Sequence, residues 1–138
     1  MVLIRPGEPR DLAEIGAIQA ACPEAARWPV ADYLAYNLSV AVCQHSLAAF
    51  LVARPLVAGE CEILNLAVAP EIRRQGLATA LLEAFLRGFK GAVFLEVRSS
   101  NAGALAFYKA FGFQELAVRQ GYYSSPPEAA IVMKFHSC

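Results

Sequence analysis

Three β-rich runs follow one another in the middle of the chain, with room only for short turns between them. Ser39 to Gln44 and Leu47 to Val57 are separated by a polar turn at His45 and Ser46, and Gly59 and Glu60 lead into Cys61 to Val68. Runs this close predict hairpins, because parallel neighbours need a crossover of about a dozen residues or more. Pro70 then stops pairing, since it has no N–H to give to a ladder. A regular strand–helix alternation of the Rossmann kind is therefore excluded.

The flanks add the other elements. Val2 to Arg5 reads as a short strand, and Leu12, Ile15 and Ile18 recur at helical spacing, which predicts a helix over Asp11 to Ala20. A second, shorter helix is expected after Pro29, with Tyr33, Leu34 and Asn37 on neighbouring turns. From Gly76 to Lys90, Leu77, Leu81, Phe85 and Phe89 line one helix face, with Thr79, Glu83, Arg87 and Lys90 opposite. Val93 to Val97 is a nearly continuous apolar strand, as a sheet covered on both faces requires. Asn101 suits the N-cap of a helix ending near Ala110, and Gly112 suits its C-terminal turn. Gln114 to Gln120 and Ala129 to Phe135 are the last strands, joined by a loop holding Tyr122, Tyr123, Pro126 and Pro127. The order β-α-α-β-β-β-α-β-α-β-β predicts an α/β chain: one domain over residues 1–138, with a mixed sheet and helices on both faces.

Charge narrows the partners. Twelve basic and twelve acidic residues cancel, so the electrostatic footprint of a nucleic-acid binder is missing. The run from Leu47 to Ala58 is broken by Arg54 and Pro55, well short of the roughly 20 residues that cross a bilayer. Cys22, Cys43, Cys61 and Cys138 form no CxxC pair, no histidine stands at metal-ligand spacing, and nothing at the N-terminus resembles a secretory signal. These features predict reduced cysteines, no metal, no membrane and a cytoplasmic location. A mean hydropathy of +0.42 leaves room for an apolar self-association surface and hence a homodimer, although alanine content alone also produces such a value.

The most informative segment is Arg73-Arg74-Gln75-Gly76-Leu77-Ala78-Thr79, set between a strand and an amphipathic helix. Gly76 permits a positive φ and close backbone approach, and the helix beyond it offers unpaired N–H groups and a positive dipole end. Together these make a cradle for a phosphate or pyrophosphate. On spacing alone an ordinary strand-to-helix turn with a solvated basic pair fits equally well.

The segment matches the R/Q-x-x-G-x-G/A signature of the Gcn-five-related N-acetyltransferase (GNAT) superfamily. Upstream, residues 64–70 (LNLAVAP) resemble that family's fourth strand; downstream, residues 95–101 (LEVRSSN) and 106–113 (AFYKAFGF) resemble its fifth strand and fourth helix. The wording LEVRSSN, with a later GYY and Ala-Ile-Val-Met, is most similar to RimI-type enzymes, which acetylate the N-terminal alanine of a small-subunit ribosomal protein. Trp28-Pro29 sits where that group carries a Pro/Trp pair; Gly121 and Ala129 stand where it usually has asparagine and an acidic residue.

The resemblance implies a GNAT fold: a mixed, mostly antiparallel sheet of about seven strands with about four helices on both faces. It implies acetyl-CoA as co-substrate, lying in a gap between the fourth and fifth strands. Backbone groups of Leu66, Ala67 and Val68 would bond the pantetheine amides, and residues Arg73, Arg74, Gln75, Gly76, Leu77, Ala78 and Thr79 would hold the pyrophosphate. Asn101 would fix the cofactor arm, Glu96 would be the base and Tyr108 the acid toward the thiolate. Glu24 and Tyr33 would line the acceptor wall, with Tyr122 and Tyr123 covering the acceptor. That acceptor is a protein N-terminus or, given the departures near the tyrosine pair, a small amine. A non-catalytic acyl-CoA-binding module is a further alternative. Strand alternation puts Phe94, Glu96 and Arg98 on one face, where a carboxylate must meet a cleft or pair with an arginine. For Tyr108 the residues alone also allow a core aromatic beside Phe107.

Overall fold

The computed structural model describes residues 2–73, 75–124 (of Ser124 the backbone) and 127–137. In chain order it contains β1 (Val2–Pro6), α1 (Leu12–Ala21), a 3-10 helix (Val30–Ala35), β2 (Asn37–Cys43), β3 (Ser46–Pro55) and β4 (Glu60–Val68). Then come α2 (Leu77–Arg87), β5 (Gly91–Arg98), α3 (Ala102–Phe111), β6 (Gln114–Ser124) and β7 (Pro127–Ser137). The strands form one seven-stranded sheet in the order β1-β2-β3-β4-β5-β7-β6. Every neighbouring pair is antiparallel except β4 and β5.

The expected meander is present, with its first turn at Gln44 and His45, both at positive φ, so that Ser46 already pairs with Cys43. A two-residue loop of this handedness matches the twist of its strands. The segment after Pro29 is a single 3-10 helix, and Asn37 belongs to β2. Tyr122 and Tyr123 lie within β6, with Tyr123 opposite Glu128, and not in a loop.

Two apolar layers hold the sheet. On one side Leu77, Leu81, Leu82 and Phe85 of α2 and Tyr108 of α3 pack on Leu51, Val93, Leu95 and Val97. On the other, Ile15, Ile18 and Tyr33 pack on Val40, Phe50, Val52 and Leu64. β3 lies between both layers and is buried from Leu47 to Ala53. Each such side chain contributes roughly 1.5–3 kcal/mol on leaving water, so this strand is the fold's anchor. At its start, β1 is tied to α1 by Arg5, which donates to both oxygens of buried Asp11 at 2.8 and 2.9 Å.

The parallel pair sets up the site. β4 and β5 are paired only from Glu60↔Ala92 to Glu62↔Phe94. The closed end is pinned where Ala92 N–H donates to Gly59 O at 2.9 Å. A Cβ on Gly91 would stand 2.2 Å from that same oxygen, so only glycine permits the approach. Beyond it, the β3–β4 register slips between Val52 and Ala53: Val52 faces Asn65, while Ala53 faces Ile63. Leu64 is therefore the extra residue of a bulge, and a bulge bends its strand. β4 leaves β5, and residues 63–68 and 95–98 are not paired with each other, which leaves a gap between the two strands.

Candidate active site

The bulge also decides which backbone groups face the gap. Ala69 N–H donates to Ala48 O across β3, so alternate residues point the same way and Leu66 and Val68 turn theirs toward the gap. The Leu66 N–H is met by its neighbour's side chain, Asn65 Oδ1, at 3.0 Å, and Val68 O accepts from the Cys22 thiol at 3.4 Å. A strand edge with polar groups turned into a gap suits an extended partner carrying amides.

A buried polar network stands behind this edge. Asn65 Nδ2 donates to Gln19 Oε1 at 3.0 Å and to Ala26 O at 3.1 Å; Gln19 Nε2 donates to Trp28 O at 2.9 Å. The Tyr33 hydroxyl donates to Gln19 Oε1 at 2.5 Å. Tyr33 is fully buried, so its side chain is not at the surface, where the expected acceptor wall required it. Burial pushes its phenol pKa up. Glu24 does reach the surface, where it pairs with Arg73 Nη2 at 2.5 Å. Gln19 and Asn65 were legible only as polar residues inside apolar runs, which must find partners once buried.

Past Pro70–Ile72, the chain enters the cradle. Gly76 has φ 77° and ψ 15° and caps α2, while a Cβ added there would meet nothing within 4 Å. The space before the helix is open, and the first-turn N–H groups of Leu77, Ala78 and Thr79 have no partner within the helix geometry. These residues fit an anionic phosphate group. Arg73 lies at the entrance, donating to Cys22 Sγ at 3.3 Å as well as to Glu24. Gln75 is exposed beside it; Arg74 lies outside the described residues.

Across the gap, Val93, Leu95 and Val97 are buried against the helical layer, which puts Phe94, Glu96 and Arg98 on the other face. Glu96 is 14% exposed; its Oε1 accepts from Arg119 Nη1 at 2.8 Å, and its Oε2 is buried with no hydrogen-bond partner among the described residues. The arginine partner that the sequence allowed for this carboxylate is therefore present. Arg119 lies over the Tyr122 ring at 4.3 Å, Arg98 over the Tyr123 ring at 4.1 Å, and the two tyrosines meet edge to face at 5.0 Å. Burial first, and then the charge of Glu96, raises both phenol pKa values, that of Tyr123 to about 12. Tyr108 lies on the opposite side of β5, 8% exposed, with ring contacts to Phe107 and Phe113. Burial pushes its phenol well above the ordinary value, so it stays protonated at neutral pH.

Asn101 caps α3 as expected: its Oδ1 accepts from Ala104 N at 3.1 Å. Any contact to a bound arm falls to its amide nitrogen. The turn before it is held by Glu128, which accepts from Ser100 N–H at 2.5 Å, from the Ser99 hydroxyl at 3.1 Å and from Arg98 at 3.3 Å. Ser100 first, with Arg98 and Ser99 behind it, lowers the Glu128 carboxyl from 4.5 to about 2. A depressed acid stabilises the fold fully above its unfolded value and loses that contribution as pH falls through the folded one. Glu128→Gln is therefore expected to lower the thermal midpoint at pH 7, with the difference from the native chain narrowing between pH 5 and 3. A difference constant over that range would count against the clamp.

Residues 13–113 match the acetyltransferase (GNAT) family. The chain belongs to that family. It is 42% identical over 94 residues to the [ribosomal protein bS18]-alanine N-acetyltransferase of Escherichia coli strain K12; the match covers 63% of this chain and 62% of that protein. The chain thus matches less than two thirds of the length of that relative. The crystal structure of the ribosomal-protein-S18-alanine N-acetyltransferase from Escherichia coli superposes with a TM-score of 0.85 at 32% identity, covering 99% of this chain and 94% of that one. Ard1 from Thermoplasma volcanium superposes with a TM-score of 0.91 at 29% identity, covering 99% and 98%. The seven-stranded mixed sheet is accordingly the GNAT fold, and its β4–β5 gap and Gly76 turn are the features that the family signature anticipated.

Proposed function

We propose that the chain is an acetyl-CoA-dependent N-acetyltransferase that acts on a protein N-terminus, with an alanine-started ribosomal protein as the leading candidate, in a reducing cytoplasm. The observation that carries this reading is the Glu96 carboxylate, with one buried oxygen unpartnered among the described residues, on the β5 margin of the gap and beside the tyrosine pair. The relatives named above act on ribosomal alanine N-termini by their descriptions. Acetyl-CoA supplies the activated acyl group. Leu66 and Val68 would pair with its amides from the strand edge, and the first turn of α2 would hold its pyrophosphate.

The acceptor must attack as a neutral amine. An α-ammonium has a pKa of about 8, so a carboxylate acting through water is a sufficient base. Glu96 Oε2 takes that proton through water and releases it to solvent. The amine nitrogen forms its bond to the acyl carbon as the carbon–sulfur bond breaks, and the second proton that it sheds leaves by the same water and carboxylate. Solvent restores the Tyr108 phenol after it has protonated the thiolate. Tyr108, protonated and on the other side of β5, returns a proton to the departing thiolate. In this reading acid and base act from opposite faces of β5, and no acyl-enzyme step is required.

The test is coenzyme A release from acetyl-CoA with peptides beginning with alanine, peptides beginning with other residues, and small amines. Turnover with alanine peptides is expected, and Glu96→Gln is expected to lower it by about 10- to 100-fold. Turnover with small amines alone would overturn the acceptor. Tight coenzyme A binding with no turnover would favour a binding module.

A further inference from the structure

Arg119 sits two strands away from the carboxylate that it holds. Glu96 on β5 faces Val132 on β7, and Arg119 on β6 faces Ala130, which in turn faces Arg98. To reach Glu96 the Arg119 side chain crosses β7 diagonally, and fully buried Ala130 leaves it room to do so. Its guanidinium is 4.3 Å from the Tyr122 ring centroid and 2.8 Å from Glu96 Oε1. The arginine is 54% exposed, and pairs of that kind add little to stability. What the pair does determine is which carboxylate oxygen is spent. With Oε1 engaged, the rotation of the carboxylate is restricted, and Oε2 is left buried with no hydrogen-bond partner among the described residues.

We propose that Arg119 is a positioning residue for the reaction: it clamps Oε1 of Glu96 so that Oε2 meets the acceptor amine or its bridging water. The stacked Tyr122 restricts the guanidinium to that one pose. Because Tyr122 shares the strand that carries Arg119, displacing the tyrosine also loosens the base. This rests on the reading of Glu96 given above.

The experiment is a double-mutant cycle in the full chain with an alanine-started peptide, kcat and both KM values being measured. Arg119→Gln is expected to lower kcat about tenfold with KM for acetyl-CoA unchanged, and Arg119→Lys, which keeps the cation, to recover much of the loss. In the Glu96→Gln background the same substitution is expected to cost nothing more, since Arg119 acts only through Glu96. A merely structural role would lower both backgrounds alike and move the thermal midpoint. Turnover of Arg119→Gln within twofold of the native chain, or losses that multiply, would overturn the proposal. If Glu96→Gln itself turns over normally, the base assignment fails as well; if it is crippled while Arg119→Gln is not, only the clamp fails.

Discussion

Phenylalanine in place of Tyr108 is expected to reduce kcat by about 10²- to 10⁴-fold, the range for losing one positioned general acid. KM for acetyl-CoA and the thermal midpoint should stay near those of the native chain. The substitution removes one oxygen and leaves the ring, whose contacts to Phe107 and Phe113 at 5.2 and 5.4 Å do not involve the hydroxyl. The burial that raises the phenol pKa keeps it protonated across the neutral range, so a proton is always present to give. A core aromatic and an acid therefore predict different results. The first predicts unchanged turnover and the second a slow enzyme with normal binding. Steady-state kinetics at saturating acetyl-CoA separate them, and a kcat within threefold of native would remove Tyr108 from the mechanism.

What the sequence displayed and what it hid follow from the range of the interactions. The hairpins, the α2 stripe, the Asn101 cap and the Gly76 turn depend on residues within a few positions of one another, and each is present. The bulge at Leu64 depends on pairing with β3. Nothing in Ile63-Leu64-Asn65-Leu66 announces that Leu64 and Asn65 both turn toward α1, so the departure of β4 from β5 came only through the family resemblance. Tyr33 was expected on the acceptor wall because the resemblance puts the first two helices there, whereas its side chain is fully buried. Its ring packs with Ile15 and Phe50, and its hydroxyl finds Gln19, fourteen positions earlier. Extending β6 through Tyr122 and Tyr123 needs Glu128 opposite, and holding Glu96 needs Arg119 from beyond an intervening strand. Long-range pairings fix the side chains of the site, while local signals fix the cradle.

The cradle is where the second large effect is expected: Gly76→Asp should raise KM for acetyl-CoA by about 100-fold or more. Two changes combine. At φ 77° a residue with a Cβ costs roughly 1–2 kcal/mol, less for aspartate than for a branched side chain. That cost falls on the free protein and should appear as a lower thermal midpoint. The new carboxylate then stands in the open space before α2, where the Cβ meets no protein atom within 4 Å. Opposite an anion about 5 Å away, at an effective dielectric constant of about 20, it costs roughly 3 kcal/mol, or about two decades in affinity. Gly76→Asn separates the terms, since it carries the same backbone strain and nearly the same volume without the charge. It should lose stability as the aspartate does but bind acetyl-CoA far better. Calorimetric titration with coenzyme A reads the difference directly, and raised salt should narrow it. Equal affinities for the two folded variants would mean that the pyrophosphate lies elsewhere; an affinity that follows the charge would put it at the α2 N-terminus.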